Sequence, residues 1–256
     1  MIEAAVSVVI PAYREDAGIG RVLDRLLDAI SLEHEILVVV DFGDDPTVEA
    51  VRQHAGDSVH VRTLVSSYGR GPANAIRYGI DHAAHPVVVV TMADGSDDPR
   101  LIDPLARLVE RGVVVAAASR YSPGGQQVGG PMLKSALSRA AGRSLGSFAR
   151  VGTDDATNSF KAYDTAFVRK VGIDSRSGFE IGLELTAKAR RLRQPVAELP
   201  TIWLDRTVGH SNFDLKAWIP KYLRWYRFAY GPELSLDEVR RRSAAIARKN
   251  MKEGQT

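Results

Sequence analysis

The sequence predicts an α/β protein: a mostly parallel sheet with helices on both faces, followed by a helical C-terminal segment. Three observations predict it. Apolar runs such as Val6 to Ile10, Ile36 to Val40 and Val87 to Met92 are continuously hydrophobic, as strands buried on both faces must be. Stretches with helical spacing separate them, the alternation that a parallel sheet with crossover helices requires. Several runs then break into Asp, Glu, Gly and Pro, and in an open α/β sheet that edge is where ligands bind.

Taken in order, Val6 to Ile10 runs into Pro11-Ala12-Tyr13-Arg14-Glu15. Ile19, Val22, Leu23, Leu26, Leu27 and Ile30 then repeat at i, i+3, i+4 spacing and predict a core-facing helix over 18–30. Ile36 to Val40 delivers Asp41-Phe42-Gly43-Asp44-Asp45-Pro46, and His60 to Val65 forms the next strand. Gly69 and Gly71 precede a helix from Pro72 to Ala83; they bring backbone close to a phosphate at a helix N-terminus or simply mark a turn, and the GxGxxG order is missing. Val87 to Met92 ends in Ala93-Asp94-Gly95-Ser96-Asp97-Asp98-Pro99. Asp98 before Pro99 reads as a helix N-cap, whereas Asp94 has no such duty. A carboxylate there can hold Mg²⁺ or Mn²⁺, ions that take one or two protein carboxylates and fill their other positions with water and phosphate.

Val113 to Ala118 predicts another strand, and the glycine-rich stretch from Tyr121 to Pro131 predicts a loop without regular structure beside the crevice. A helix over 132–148, a strand around Ser159 to Tyr163 and a helix over 179–191 follow. Val196 to Leu204 reads as one late strand, with Pro200 confining it to an edge or bulge. These elements make one domain, 1–212, with a helical appendage over 213–256.

Composition bounds the function. An apolar fraction of 45 % with 25 % charged residues is that of a globular protein, and 34 basic against 31 acidic residues leave +3, too little for a general nucleic-acid binder. The basic excess gathers near the C-terminus in Arg240-Arg241-Arg242, Arg248, Lys249 and Lys252, as a solvated face or toward an anionic surface. There is no cysteine, which excludes disulfides and thiol chemistry. With no apolar stretch of about 18 residues, the expected location is the cytoplasm, with peripheral contact at the inner face of a membrane. That contact would come from 213–233, where Trp218, Tyr222, Trp225, Tyr226 and Phe228 interleave with Lys216, Lys221, Arg224 and Arg227; packing on the preceding domain is the competing reading.

The segments SVVIPAYRE, VVVDFGDDPT, YGRGPANAIRYGI, VVVTMADGSDDP, ASRYSPGG, DATNSFKAYD, GFEIGLEL and DRTVGHS occur in the order and spacing of the family 2 glycosyltransferases. The chain most resembles the dolichol-phosphate mannosyltransferase branch, over about residues 5 to 212. The resemblance implies a GT-A fold, a nucleotide-sugar donor, a divalent cation and inversion at the anomeric carbon. Pro11, Tyr13 and Glu15 match the first donor loop, with Gly71 near the donor phosphates. Asp41 matches the second aspartate of a usual pair whose first member is Val40 here. Asp94 matches the last aspartate of the metal motif, whose first aspartate is Met92; Ser96 and Asp97 are the further candidate ligands. Asp155 and Lys161 align with an aspartate and an arginine of the family, so that Lys161 keeps the charge without the planar fork. Arg206 and Ser211 match a late loop that closes over the donor diphosphate, and Lys134 and Arg139 stand where the family presents cations to an acceptor phosphate. Glu180 and Glu184, four apart on one helix, are read either as exposed charges favouring the helix dipole or as site residues.

These readings imply an inverting, metal-dependent hexosyltransferase acting on a polyprenyl phosphate. A soluble hydroxyl acceptor is the alternative and would make Asp155 or Glu180 an essential base. A nucleotide-sugar-binding module without turnover is the third, and Met92 favours it.

Overall fold

The computed structural model describes residues 5–56, 58–130, 132–176, 178–205 and 215–253, with backbone alone at 132–134, 215–218 and 251–253. The chain runs β1 (Val6–Ala12), α1 (Ile19–Ala29), β2 (His34–Val40), α2 (Pro46–Ala55), β3 (Val61–Val65), α3 (Pro72–His82) and β4 (Val87–Val90). A 3₁₀ turn at Pro99–Leu101 leads into α4 (Ile102–Glu110), followed by β5 (Val115–Ser119), β6 (Gln126–Val128) and α5 (Met132–Ser144), which ends in a π turn at Leu145–Ala149. Then come β7 (Lys161–Asp164), α6 (Thr165–Val171), α7 (Ile181–Arg191), β8 (Val196–Pro200), β9 (Ile202–Leu204), α8 (Leu215–Ala229) and α9 (Leu236–Glu253).

The main sheet has seven strands in the order β3-β2-β1-β4-β7-β5-β8. β7 alone runs antiparallel, between β4 and β5. Chain order reverses at β1, whose neighbours are β2 and β4, and a crevice opens at the carboxyl ends of strands around such a switch point. Alternation along the strands sends Val8 and Ile10 into the core under α1 and α4, and Val9 into the core under α3 and α7. α3 lies close on the sheet because Gly79 has no side chain: a Cβ there would meet Val9 Cγ1 at 2.4 Å.

Three expectations are corrected. Gln126–Val128, inside the glycine-rich stretch, is a strand, because β9 pairs with it in parallel and satisfies its backbone. Gly125 permits the turn into it, since a Cβ would lie 2.4 Å from the Ser119 carbonyl oxygen. The late strand divides after Pro200 into β8 on the sheet edge and β9 in this separate ribbon. The helix predicted to run to Phe148 gives way to the π turn after Ser144, and Arg150 closes it with a φ of +54°.

The C-terminal helices pack on the catalytic domain. Trp225, Phe228 and Ala229 of α8 and Val239 of α9 share a core with Leu145, Leu183 and Ala187. Trp225 Nε1 donates to Ser175 Oγ at 3.1 Å, so the buried indole has its partner. Much of the aromatic stripe is therefore core; Trp218 lies outside the described side chains.

Candidate functional site

The polar ends of β1, β2 and β4 meet at the switch point. Asp41, directly after β2, accepts the Gly71 N–H on both carboxylate oxygens, at 3.1 and 2.9 Å. This fixes the N-terminus of α3 against β2, and Gly71 supplies the φ of +103° that a side chain would resist. The Gly71 amide is thus held by protein rather than left for a phosphate. Val40, where the family has its other aspartate, is buried in the core. Asp45 caps α2 by accepting from Thr47 N at 2.9 Å and also accepts the Arg14 N–H, while Thr47 Oγ1 accepts the Glu15 N–H at 2.9 Å. The loop after Pro11 is therefore pinned to α2. At its tip Tyr13 is 49 % exposed and meets Phe42 edge-on with centroids 5.9 Å apart. Arg14 lies 5.5 Å from the Tyr13 ring and Arg70 5.5 Å from the Phe42 ring, an accessible aromatic and cationic cluster suited to a nucleoside base. Phe42 and Arg70 sit within quoted motifs, but their pairing across two loops has no signal in the sequence.

The turn after β4 presents Asp94. Its Oδ1 accepts the Ser96 N–H at 3.0 Å and braces the turn, in which Gly95 takes a φ of +69°. Ser96 is buried, and its carbonyl accepts Leu204 N–H at 3.2 Å, joining the turn to the β6–β9 ribbon. Asp97 lies beneath, its Oδ2 accepting from Thr91 Oγ1 at 3.0 Å and Met92 N at 3.2 Å. Burial, and then the charge of Asp94, push the Asp97 carboxyl up to about 7. Hard oxygen donors around two mutually repelling carboxylates fit a divalent cation that completes its shell with phosphate. Among the described residues no group of three or more His, Cys, Asp or Glu has metal-binding geometry, so the ion would depend on its substrate for ligands. Asp98 is a cap: it accepts from Arg100 N at 3.1 Å and pairs with the Arg100 guanidinium at 2.7 Å.

Deeper in the crevice, two expected site residues have other work. Asp155 is 0 % exposed and holds Arg120 in a two-point ion pair, Nε to Oδ2 at 2.7 Å and Nη2 to Oδ1 at 2.8 Å, while Oδ2 also accepts the Arg120 N–H. A carboxylate so engaged is no free general base, which corrects that expectation. Lys161 is also 0 % exposed, because β7 inserts between two strands, and its Nζ donates to the carbonyls of Asp155, Ala156 and Asn158. It shapes the 155–158 loop from beneath and cannot reach an acceptor phosphate, a second correction. Glu180 and Glu184 are both 0 % exposed, not solvated. Glu184 accepts from Asp174 N and Ser175 N and pairs with Lys188 at 2.6 Å, a structural network. Glu180, at the N-terminus of α7, lies close enough to Tyr222 of α8 that burial and its charge raise that phenol.

Arg139 is exposed on α5, 5.2 Å from the Tyr121 ring, and Arg120 is 4.9 Å from the same ring. Lys134 occupies the first turn of α5, with its side chain outside the description. Arg206 and Ser211 lie outside the described residues. Arg120 was missed by sequence reasoning: its one signal is an arginine just past a buried strand, and its partner is 35 residues away.

The glycosyl transferase family 2 model matches residues 7–172, from β1 to the end of α6. The chain is 29 % identical over 215 residues to undecaprenyl-phosphate mannosyltransferase of Micrococcus luteus, covering 81 % of this chain and 86 % of that one. It is 31 % identical over 213 residues to polyprenol monophosphomannose synthase of Mycolicibacterium smegmatis, covering 80 % and 79 %. Glucosyl-3-phosphoglycerate synthase of Mycobacterium tuberculosis, solved with Mn²⁺, UDP and glucosyl-3-phosphoglycerate, superposes with a TM-score of 0.65 at 17 % identity, over 91 % of this chain and 82 % of that one. That likeness shows the GT-A fold. A switch-point crevice with its acidic turn, a family match across most of the sheet and relatives at this identity converge: the chain belongs to glycosyltransferase family 2, in the branch of the dolichol-phosphate mannosyltransferases.

Proposed function

We propose that this glycosyltransferase moves a hexose from a nucleoside-diphosphate sugar to a polyprenyl phosphate, with inversion at the anomeric carbon. The names of two relatives favour mannose and a lipid phosphate. One observation carries the choice of acceptor: the candidate base Asp155 is buried and spent on Arg120. A hydroxyl acceptor needs a base to take its proton. A phosphate monoester, with a second pKa of about 6, is already a nucleophile at neutral pH. Its oxygen attacks the anomeric carbon as the bond to the donor diphosphate breaks, and the electron pair leaves on that diphosphate.

Tyr13, Phe42, Pro11 and Glu15 would receive the base and ribose, with Asp41 holding the Gly71 loop in place. Asp94, backed by Asp97 and Ser96, would hold Mg²⁺ or Mn²⁺, and the ion supplies charge neutralisation on the departing diphosphate. Arg206 and Ser211, which match the family's late loop and lie outside the described residues, would add a cation and a hydroxyl there. Lys134 and Arg139 on α5 would draw the acceptor phosphate to the crevice. A lipid acceptor is also supported by the ribbon joined to the Asp94 turn: Val128, Ile202 and Leu204 are 51 %, 45 % and 51 % exposed, and Val128 and Leu204 pair across the two strands. On α8, Ile219 and Leu223 are exposed one turn apart, which suits peripheral contact with the membrane that carries such a lipid. No helix among the described residues is long and apolar enough to cross a membrane.

Glu180→Gln tests the base. On polyprenyl phosphate it should keep kcat within a few-fold, whereas the roughly 10²- to 10⁴-fold loss typical of a missing base would favour the hydroxyl acceptor. Arg206→Ala should lower kcat more than it weakens donor binding, with Arg206→Lys recovering part of the loss.

A further inference from the structure

A cluster of cations lies at the far end of α7 from Glu180, about 16 Å along its 11 residues. There α7, α8 and α9 line a shallow, solvent-open cleft of about 540 Å³. Its walls carry Arg191, Arg224, Arg227, Arg242 and Lys249, and no carboxylate is among the described residues that line it. Phe228 and Ile246 contribute apolar surface.

The cation at its base is built in. Arg191 is 3 % exposed, and its guanidinium donates to three carbonyls of the α8–α9 link: Nε to Pro232 at 2.7 Å, Nη1 to Phe228 at 2.7 Å and to Tyr230 at 3.0 Å. Gly231 supplies the φ of +118° with which the backbone passes over it, a conformation a side chain would resist. Nη2 has no hydrogen-bond partner among the described residues. Arg242 is shared with Glu238, while Arg227 and Lys249 form no ion pair among the described residues. Burial, then the charges of Arg242 and Arg190, hold the Arg191 guanidinium below its ordinary value, so the cluster repels itself as it stands. A packed core elsewhere in these helices shows no need for such crowding: Lys188, one turn earlier, is neutralised by Asp174 and Glu184 at 2.7 and 2.6 Å.

We propose that this cleft is an anion site, separate from the donor crevice, that takes a phosphoryl group. Guanidinium forks and an ammonium around a concave wall match the geometry of phosphate oxygens, with the buried Arg191 fixing the floor of the cleft. The same chemistry is offered by a free phosphate and by the headgroup of an anionic phospholipid. This inference does not depend on the proposed acceptor.

The test uses the full chain in two arms: calorimetric titration with inorganic phosphate, and sedimentation with phosphatidylcholine vesicles containing or lacking phosphatidylglycerol. Arg227 and Lys249 are exposed, so the pair Arg227→Glu/Lys249→Glu changes the cleft with little effect on folding. The pair Arg111→Glu/Arg248→Glu makes the same net charge change at exposed positions outside it. Wild type should bind in at least one arm, the cleft pair should bind about tenfold or more weakly there, and the control pair should match wild type. Binding of phosphate alone assigns a soluble anion, and binding of the anionic vesicles alone assigns a headgroup. The proposal fails if neither arm binds, if the cleft pair binds like wild type, or if both pairs lose binding equally. Should the cleft pair unfold, Arg227→Gln and Lys249→Gln give the same comparison.

Discussion

Asp94 and Asp98 lie four residues apart in one acidic turn, yet their environments divide the labour. Asp94 sits in the turn after β4, where it accepts the Ser96 N–H, and Asp98 is bound to the backbone and guanidinium of Arg100. Asp94→Ala should abolish transfer and make nucleotide binding indifferent to Mn²⁺, as followed by calorimetry with and without the ion. Asp98→Ala should cost about 1 kcal/mol of stability and leave most activity. Asp155 gives a third outcome. Its removal strands Arg120 in a buried site, so Asp155→Asn should destabilise by about 3 to 5 kcal/mol in denaturant titration. A stable Asp155→Asn protein with kcat reduced on every acceptor would instead return Asp155 to the chemistry. The acidic turns were legible because each follows an apolar strand too uniform to be anything else. The Arg120–Asp155 pair was not, since nothing local ties residues 35 positions apart.

Among elements, β7 and α8 most affect the site. β7 was expected as a strand, but not its antiparallel insertion between β4 and β5, which buries Lys161. Its placement is decided by pairing partners supplied from elsewhere in the chain, as is the three-residue β6. α8 was visible as an aromatic and basic segment, and only packing reveals that Trp225 and Phe228 face inward. Trp225→Ala should therefore cost about 3 to 5 kcal/mol, the range for emptying a large aromatic site. Gly79→Ala tests the sheet's contact with α3: a Cβ forced against Val9 should cost about 1 to 3 kcal/mol, measured by thermal unfolding.

For the molecule as a whole, buried charges beside the crevice link stability to pH. Burial pushes Lys161 down to about 7, against the pull of Asp155, Asp97 and Glu198 and with the push of Arg120, while an unfolded lysine titrates near about 10.4. Between these values the unfolded chain binds more protons, so the Lys161 contribution to stability rises with pH; below about 7 its penalty is complete. The denaturant midpoint of wild type relative to Lys161→Met should climb between pH 7 and 10, and a flat difference would contradict this account. The acceptor defines the proposed reaction. The most direct measurement is mass spectrometry of the products formed when the chain, Mg²⁺ and a panel of nucleotide sugars meet equal amounts of a polyprenyl phosphate and the matching polyprenol. The expected products are a glycosyl phosphoryl polyprenol and a released nucleoside diphosphate, both absent with Asp94→Ala. Sugar attached to the polyprenol hydroxyl, with the lipid phosphate untouched, would contradict the proposed reaction.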